Sequence, residues 1–261
     1  MIKPNPIEET IVKKFPRPIW HKILKCVREY ELIQEGDKIA VYISGDKYSM
    51  LMAQCLQRLQ RYSKFPFEVQ CILVKSEPNH QKNLENAELL GIPFQVSEAE
   101  DFPAFCEAVR KMGCSKIAVG NHFEEIIETI FMGMLYDSQI EATLPKTHIE
   151  NFEGMQIIRP LYLVKESDIN AWKDYNHLEF VECAEDSENS RHQEVKALLQ
   201  QLRKVNPAVD TNIFRSIQNV NLKTIISYHL GDEYHHFLDD FDEGITNHGT
   251  KSGEGRKETS C

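Results

Sequence analysis

The sequence predicts an α/β protein: a parallel sheet with helices on both faces, followed by a small C-terminal helical region. Apolar runs of strand length alternate with segments of helical period between residues 38 and 136, and a short turn containing Gly45 joins the first run to a helix. Strands of four to eight residues that alternate with helices of ten or more indicate a parallel sheet. Such sheets bind ligands at the carboxyl ends of their strands, so the loops after Ser44 and Gly120 are the candidate site.

The segment before the sheet has a different pattern. Residues 1–18 are polar and carry four prolines, which predicts an extended arm. A helix is expected after Pro18, because apolar residues recur at positions 19, 23, 27 and 30. Gly36 and Asp37 then break the chain before the first strand.

The elements of the sheet domain follow in order from periodicity and flanking turn residues. Strands are predicted at 38–44, 67–74, 92–96, 116–120 and 156–159. Helices are predicted at 49–62, 79–90, 102–112, 123–136 and 166–176. Residues 138–155 are expected to form an irregular loop, and residues 190–230 contain helical patterns with no further strand.

Four regions are therefore predicted. Residues 1–34 form the N-terminal arm and helix, residues 35–180 the α/β domain, and residues 181–244 the C-terminal helical region. Residues 245–261 are rich in glycine, serine and charge and are expected to be disordered.

Composition excludes several classes of protein. Hydrophobic residues make up 41% and charged residues 27%, which is ordinary for a globular protein. No apolar run approaches the roughly 20 residues of a membrane span, and the N-terminus lacks the apolar core of a secretory signal, so a cytoplasmic location is expected. The net charge of −10 argues against non-specific coating of nucleic acid, although a basic stretch at residues 13–28 leaves an RNA-facing patch open.

The cysteines give no metal-site pattern. Seven are present and no two are spaced as C-x-x-C, so neither a zinc nor an iron–sulfur site is indicated. Cys26, Cys55 and Cys71 lie in apolar stretches and are expected to be buried thiols.

The turn after the first predicted strand has the chemistry of an anion site. A short loop exposes unpaired backbone N–H groups at a helix N-terminus, and serine hydroxyls and a lysine add further donors. The loop residues are Ser44, Gly45, Asp46, Lys47, Tyr48 and Ser49.

This loop resembles the PP-loop motif S-G-G-x-D-S, and other segments in the same order extend the resemblance. They are IQEGDKI at 33–39, KIAVGNHFEEIIET at 116–129, LPK at 144–146 and IRPL at 158–161. Together they cover about residues 20–201 and resemble the tRNA 2-thiocytidine synthetase family of PP-loop ATP pyrophosphatases, which has an adenine nucleotide α-hydrolase-like fold.

The resemblance implies an ATP-dependent reaction on tRNA. The loop would hold the phosphates of ATP with magnesium, a tRNA base would be adenylated with release of pyrophosphate, and sulfur would displace AMP. The implied nucleotide-binding residues are the six loop residues together with His122, Glu124, Glu125 and Arg159, and Cys183 is the candidate catalytic thiol. A homodimer is one alternative for the oligomeric state.

Three departures from the family pattern bear on this activity. Asp46 replaces the second glycine of the motif, which adds bulk and negative charge beside an anion, and Tyr48 replaces its aspartate, a better magnesium ligand than a phenol. The family's C-x-x-C ahead of the 116–120 strand is absent. The later cysteine pair survives only as Cys183, and a lone thiol does not hold a cluster.

Two interpretations follow. The first is a PP-loop protein of the tRNA-thiolation type that works without the usual iron–sulfur chemistry, with ATP and magnesium bound weakly or not at all. The alternative is a non-catalytic homologue that binds nucleotide, RNA or a protein partner.

Overall fold

The computed structural model describes residues 5–75, 79–99, 101–180, 190–239 and 241. The chain divides into two compact units, residues 1–210 and residues 211–261. The predicted boundaries after residues 34 and 180 stay predictions. The predicted disordered tail at 245–261 and the candidate thiol Cys183 lie outside the described residues.

The first unit is built on a six-stranded sheet in the order β3-β2-β1-β4-β6-β5. All neighbouring strands are parallel except β5, which pairs antiparallel to β6 at one edge. Its strands are β1 (Lys38–Ile43), β2 (Glu68–Val74), β3 (Phe94–Ser97), β4 (Lys116–Ala118), β5 (Lys146–His148) and β6 (Gln156–Ile158). The predicted α/β class is confirmed, and each predicted strand is present with bounds shifted by a few residues.

Nine helices are present among the described residues, and several of them connect the strands of the sheet. They are α1 (Pro6–Lys13), α2 (His21–Glu29), α3 (Lys47–Tyr62), α4 (His80–Leu89), α5 (Phe102–Lys111), α6 (Phe123–Met132), α7 (Glu166–Tyr175), α8 (Ser190–Val205) and α9 (Val209–Ser216). π-Helical turns at Pro16–Trp20 and Gly133–Asp137 precede α2 and extend α6. None of the described helices is long and apolar enough to span a membrane.

Strand β1 forms the centre of the core because both of its faces are covered. Ala40 packs in one apolar cluster with Phe105 and Val109 of α5. The residues on either side of it, Ile39 and Val41, point to the opposite face and are fully buried as well. A strand buried on both faces reads as a continuous apolar run, which is the pattern of residues 39–43.

The prediction of an extended N-terminal arm is wrong. Asn5 caps α1 by accepting a hydrogen bond from the Ile7 amide at 2.8 Å, and Pro6 occupies the first helical turn, where its missing N–H costs nothing. Ile11 of this helix is fully buried. Pro6 and Pro16 therefore start helical segments instead of preventing them.

Two further expectations require correction. Residues 138–155, predicted as an irregular loop, contain the short edge strand β5. Residues 190–230 were predicted to hold no strand, but β7 (Ser227–Leu230) pairs antiparallel with β8 (Glu233–His236) in a hairpin of the second unit. Gly231 lies in the turn of that hairpin with φ of +63°, a conformation that glycine adopts readily.

Candidate functional site

The candidate loop lies where the sequence places it, between the carboxyl end of β1 and the start of α3. Gly45 has φ of +98°, and a β-carbon there would come within 2.1 Å of the Asn83 side chain. Asn83 donates from Nδ2 to the Ser44 carbonyl at 3.2 Å. Only glycine fits at position 45, because both the backbone angle and the close approach of Asn83 exclude a side chain.

Asp46 bonds to two of the anion-binding groups of this loop. Asp46 is the N-cap of α3: its Oδ1 accepts from the Ser49 amide at 2.7 Å, and its Oδ2 accepts from the Ser44 hydroxyl at 3.0 Å. The two serine hydroxyls also lie 3.2 Å apart. An internal carboxylate therefore sits on the helix N-terminus, where an external anion would otherwise bind.

Lys47, the cation of the loop, also has partners within the protein. Lys47 Nζ lies 3.0 Å from Glu166 Oε1 and donates to Asn170 Oδ1 at 2.7 Å. The Tyr48 hydroxyl donates to the same Glu166 oxygen at 2.5 Å. Burial and the hydrogen bond to Glu166 raise the pKa of Tyr48 far above its usual range, so Tyr48 is a neutral donor.

His122 joins the loop to the start of α6. Its ring stacks on Tyr48 with centroids 4.4 Å apart and planes 9° from parallel. Its Nδ1 lies 3.3 Å from Glu125 and its Nε2 lies 3.8 Å from Glu124. Burial alone would lower the pKa of His122, but the hydrogen bond and charge of Glu125, with the charges of Glu124 and Glu166, raise it.

Glu124 and Glu125 hold this arrangement through the backbone. Glu125 Oε2 accepts from the His122 amide at 3.0 Å, which closes the first turn of α6. Glu124 Oε2 accepts from the Glu166 amide at 2.8 Å and so connects α6 to the start of α7. Glu124 and Glu128 lie one helical turn apart on α6, and both side chains are largely buried. They do not form a solvent-exposed edge of the helix.

A cavity of about 450 Å³ opens on these residues. Its lining combines carboxylates with cationic and polar side chains from α3, α6, α7 and α8: Asp46, Lys47, Tyr48, His122, Glu124, Glu125, Glu128, Glu166, Lys173, Phe180, His192, Lys196, Gln200 and Arg203. Six of the predicted site residues thus line one cavity: Asp46, Lys47, Tyr48, His122, Glu124 and Glu125.

Arg159 lies outside this cavity. It follows β6, donates from Nε to Asn121 Oδ1 at 3.2 Å and donates from Nη1 to the Leu144 carbonyl at 2.7 Å. It links the edge of the sheet to the residue before His122, and these contacts hold the loop that carries His122.

Sequence reasoning missed several lining residues. Glu166 and Asn170 contact the loop from α7, and the sequence carries no motif that singles them out. His192, Lys196 and Arg203 share one face of α8, so helical spacing from His192 could have grouped them. His192 Nε2 lies 3.1 Å from Glu128 Oε2.

Three donors of the 44–49 loop that would contact a phosphate are bonded to other side chains. The Ser49 amide and the Ser44 hydroxyl are bonded to Asp46, and Lys47 is bonded to Glu166 and Asn170. Among the described residues, no group of three or more His, Cys, Asp or Glu side chains is arranged to hold a metal ion.

Comparison with known proteins gives consistent matches. A family model described as the PP-loop domain matches residues 17–209. A tRNA-cytidine(32) 2-sulfurtransferase of Pseudomonas fluorescens (strain Pf0-1) is 28% identical over 223 residues, which are 75% of this chain and 81% of that protein. The enzyme of the same name from Acaryochloris marina is 29% identical over 251 residues, 86% of this chain and 88% of its own.

A solved structure has the same fold. The U34-tRNA thiolase NcsA from Methanococcus maripaludis, whose structure contains a 4Fe–4S cluster, matches 76% of this chain and 77% of its own with a TM-score of 0.55 and 18% identity.

Proposed function

Because this chain belongs to the PP-loop domain family, we propose that it is a tRNA-directed PP-loop protein that binds RNA without ATP-dependent adenylation. The observation that carries this proposal is the position of Asp46. Its carboxylate accepts from the Ser49 amide at 2.7 Å and the Ser44 hydroxyl at 3.0 Å, which are donors that a phosphate would need.

The energetic consequence for ATP is large. Two like charges about 4 Å apart at an effective dielectric near 20 repel by about 4 kcal/mol, which is roughly three decades in affinity. Lys47 does not offset this repulsion, because Glu166 and Asn170 already hold its ammonium group. Tyr48 supplies no carboxylate for magnesium and is a neutral phenol.

tRNA as the partner is supported by the relatives, which are tRNA-modifying enzymes by name. The N-terminal helices supply a surface of suitable charge: Lys14, Arg17 and Arg28 are exposed. Clustered exposed cations supply the sequence-independent part of RNA binding by neutralising phosphates. The double change Lys14→Glu with Arg17→Glu should weaken tRNA binding and flatten its salt dependence, measured by fluorescence anisotropy.

We also propose that the chain works without an iron–sulfur cluster. The sequence has no C-x-x-C pair, and Cys26, Cys55, Cys71, Cys106 and Cys114 are buried free thiols. Iron and acid-labile sulfide, measured after anaerobic reconstitution, are expected well below one cluster per chain. Stoichiometric iron with a visible charge-transfer band would refute this and restore cluster-dependent sulfur transfer.

The second candidate is a working adenylating enzyme with a variant loop. It is favoured by the convergence of Lys47, His122, Glu124 and Glu125 on one cavity. Calorimetric titration with ATP and magnesium, and pyrophosphate release in the presence of total tRNA, decide between the two. We expect weak or undetectable ATP binding and no pyrophosphate, and either tight magnesium-dependent binding or pyrophosphate release would establish the enzyme.

The matched variant restores the family motif. Asp46→Gly combined with Tyr48→Asp removes the internal anion and supplies a carboxylate for magnesium. In the presence of magnesium, this variant should bind ATP more tightly than the unmodified protein does. When magnesium is removed by a chelator, the gain in affinity should disappear.

A further inference from the structure

Glu166 connects α7 to the loop through side-chain contacts. It is the first residue of α7, and its Oε1 accepts from Tyr48 and lies 3.0 Å from Lys47 Nζ. Its backbone amide is held by Glu124 Oε2 at 2.8 Å, so the carboxylate is aimed at the loop by a contact from α6. The Glu166 side chain is 39% exposed, whereas Lys47 is 21% exposed.

This carboxylate competes with external anions for the same donor. Lys47 is the single ammonium group carried by the 44–49 loop, and Glu166 and Asn170 are its two side-chain acceptors among the described residues. The partners of Glu166 keep it ionised: burial raises its pKa, but the hydrogen bonds from Tyr48 and Lys47 outweigh burial and lower it. A phosphate that bonds to Lys47 must therefore displace this carboxylate or share the ammonium group with it against its negative charge.

We propose that Glu166 is the residue that selects the ligand of this loop: it holds Lys47 and excludes phosphate-bearing ligands until α7 releases it. The inference deepens the proposed function, on which it rests for the loop being an anion site. It adds a second internal anion to Asp46, with a separate role. Asp46 occupies the amide and hydroxyl donors, and Glu166 occupies the cation.

The geometry also assigns how the exclusion is relieved. Glu166 is partly exposed, and its fixed points are the Glu124 contact to its amide and the two donors from α3. A movement of α7 away from α3 that carries Glu166 and Asn170 together frees Lys47 and the Tyr48 hydroxyl. The loop then offers a cation and a phenol to an anionic group.

The test measures binding of tripolyphosphate, a phosphate chain without base or ribose, by calorimetric titration of the full chain at low salt. Glu166→Gln keeps the size of the side chain and removes its charge. Because the substitution removes a negative charge beside the anion site, tripolyphosphate binding is expected to tighten by at least about tenfold. Adding Lys47→Met to Glu166→Gln should abolish the gain.

Two further variants keep the test specific. Asp168→Asn removes one negative charge from the same helical turn, but Asp168 pairs with Lys22 at 3.0 Å and not with the loop, so binding should stay within about twofold if the charge-assisted contact to Lys47 carries the effect. Asn170→Ala removes the other Lys47 partner without a change in charge and should give a smaller gain than Glu166→Gln. If Glu166→Gln does not fold, as judged by thermal unfolding, Glu166→Asp carries the test: it draws the carboxylate back by one methylene and should give a smaller gain that Lys47→Met again removes.

The outcomes separate the two proposals. A gain in Glu166→Gln that Lys47→Met removes supports the inference. An unchanged affinity in Glu166→Gln, or an equal gain in Asp168→Asn, overturns it. Tight ATP binding by the unmodified protein would refute the proposed function, yet the ratio between Glu166→Gln and the unmodified chain would still test the role of Glu166.

Discussion

Asp46 should be both a structural cap and a barrier to anions, and Asp46→Ala tests both roles in one variant. Alanine keeps the β-carbon of the native residue and removes only the carboxylate. The Ser49 amide and the Ser44 hydroxyl then lose an acceptor. Without a ligand the variant should be less stable than the unmodified protein, and with a phosphate ligand it should recover.

The size of the loss follows from the two bonds. Replacing an aspartate N-cap by alanine costs about 1 kcal/mol, and a hydrogen bond to a charged acceptor adds about 1.5 kcal/mol. Because the Ser44 and Ser49 hydroxyls lie 3.2 Å apart and can bond to each other, a total of about 2 kcal/mol is expected. At about 2–4 °C per kcal/mol for a chain of this size, the melting temperature should fall by roughly 4–8 °C.

The assay is thermal unfolding with and without tripolyphosphate, and Asp101→Ala is the matched control. Asp101 caps α5 with the same geometry, its Oδ1 accepting from the Ala104 amide at 2.7 Å, but it lies outside the cavity lining. Asp101→Ala should lose about 1 kcal/mol. A ligand at one hundred times its dissociation constant adds about 2.7 kcal/mol to the folded state, so recovery of Asp46→Ala should be easy to detect.

Recovery by ligand is the decisive part. If tripolyphosphate restores Asp46→Ala and leaves Asp101→Ala unchanged, the carboxylate of Asp46 occupies an anion site. Two results would refute the blocking role of the Asp46 carboxylate. One is an equal rise in melting temperature with tripolyphosphate in both variants. The other is a rise in the unmodified protein with no rise in either variant.

Two further predictions concern stability away from the loop and its pH dependence. Arg58 of α3 is 13% exposed and lies 2.9 Å from Glu8 of α1, so Arg58→Met should lower the free energy of unfolding in urea by about 2 kcal/mol. The control Arg110→Met breaks an exposed ion pair and should cost under about 0.5 kcal/mol. Equal costs would contradict a stabilising role for the contact between α1 and α3. Because the pKa of His122 is raised in the folded protein, its contribution to stability is complete below about pH 6.5 and is lost as the pH rises through the pKa of the folded state. The variant His122→Gln should therefore flatten the decline in stability with pH, and the control His21→Gln should not. A decline that persists in His122→Gln would assign it to other groups.

Much of the fold follows from the sequence because strands alternate with helices and the central strand β1 is buried on both faces. The run at residues 39–43 is continuously apolar and is followed closely by turn residues, so the position of its strand could be predicted to within a residue or two. The edge strand β5 was missed because it is three residues long and only partly buried, which leaves no apolar run. The N-terminal helix was missed because prolines were read as breaks, although proline is well placed in a first turn.

The candidate site was predictable only where a motif marks it. The loop and the His122 segment follow strands of the sheet, and parallel strands bring their carboxyl ends to one edge, so their meeting could be expected from order along the chain. Glu166 could not be found in this way. It lies 119 residues from Lys47 and follows no strand of the sheet directly, so the packing of α7 against α3 decides the contact.

The two substitutions that weaken the PP-loop motif have structural partners, and this bears on how the loop works. A loop that had only lost its motif would leave the Asp46 carboxylate without hydrogen-bond partners. Instead, Asp46 caps α3 and bonds to Ser44. Tyr48 stacks on His122 and donates to Glu166, which also lies 3.0 Å from Lys47. Asp46 and Tyr48 therefore both make specific contacts within the protein. Because the Ser44 hydroxyl and the Ser49 amide bond to Asp46, and Lys47 lies against Glu166, these loop contacts form within the protein without a nucleotide.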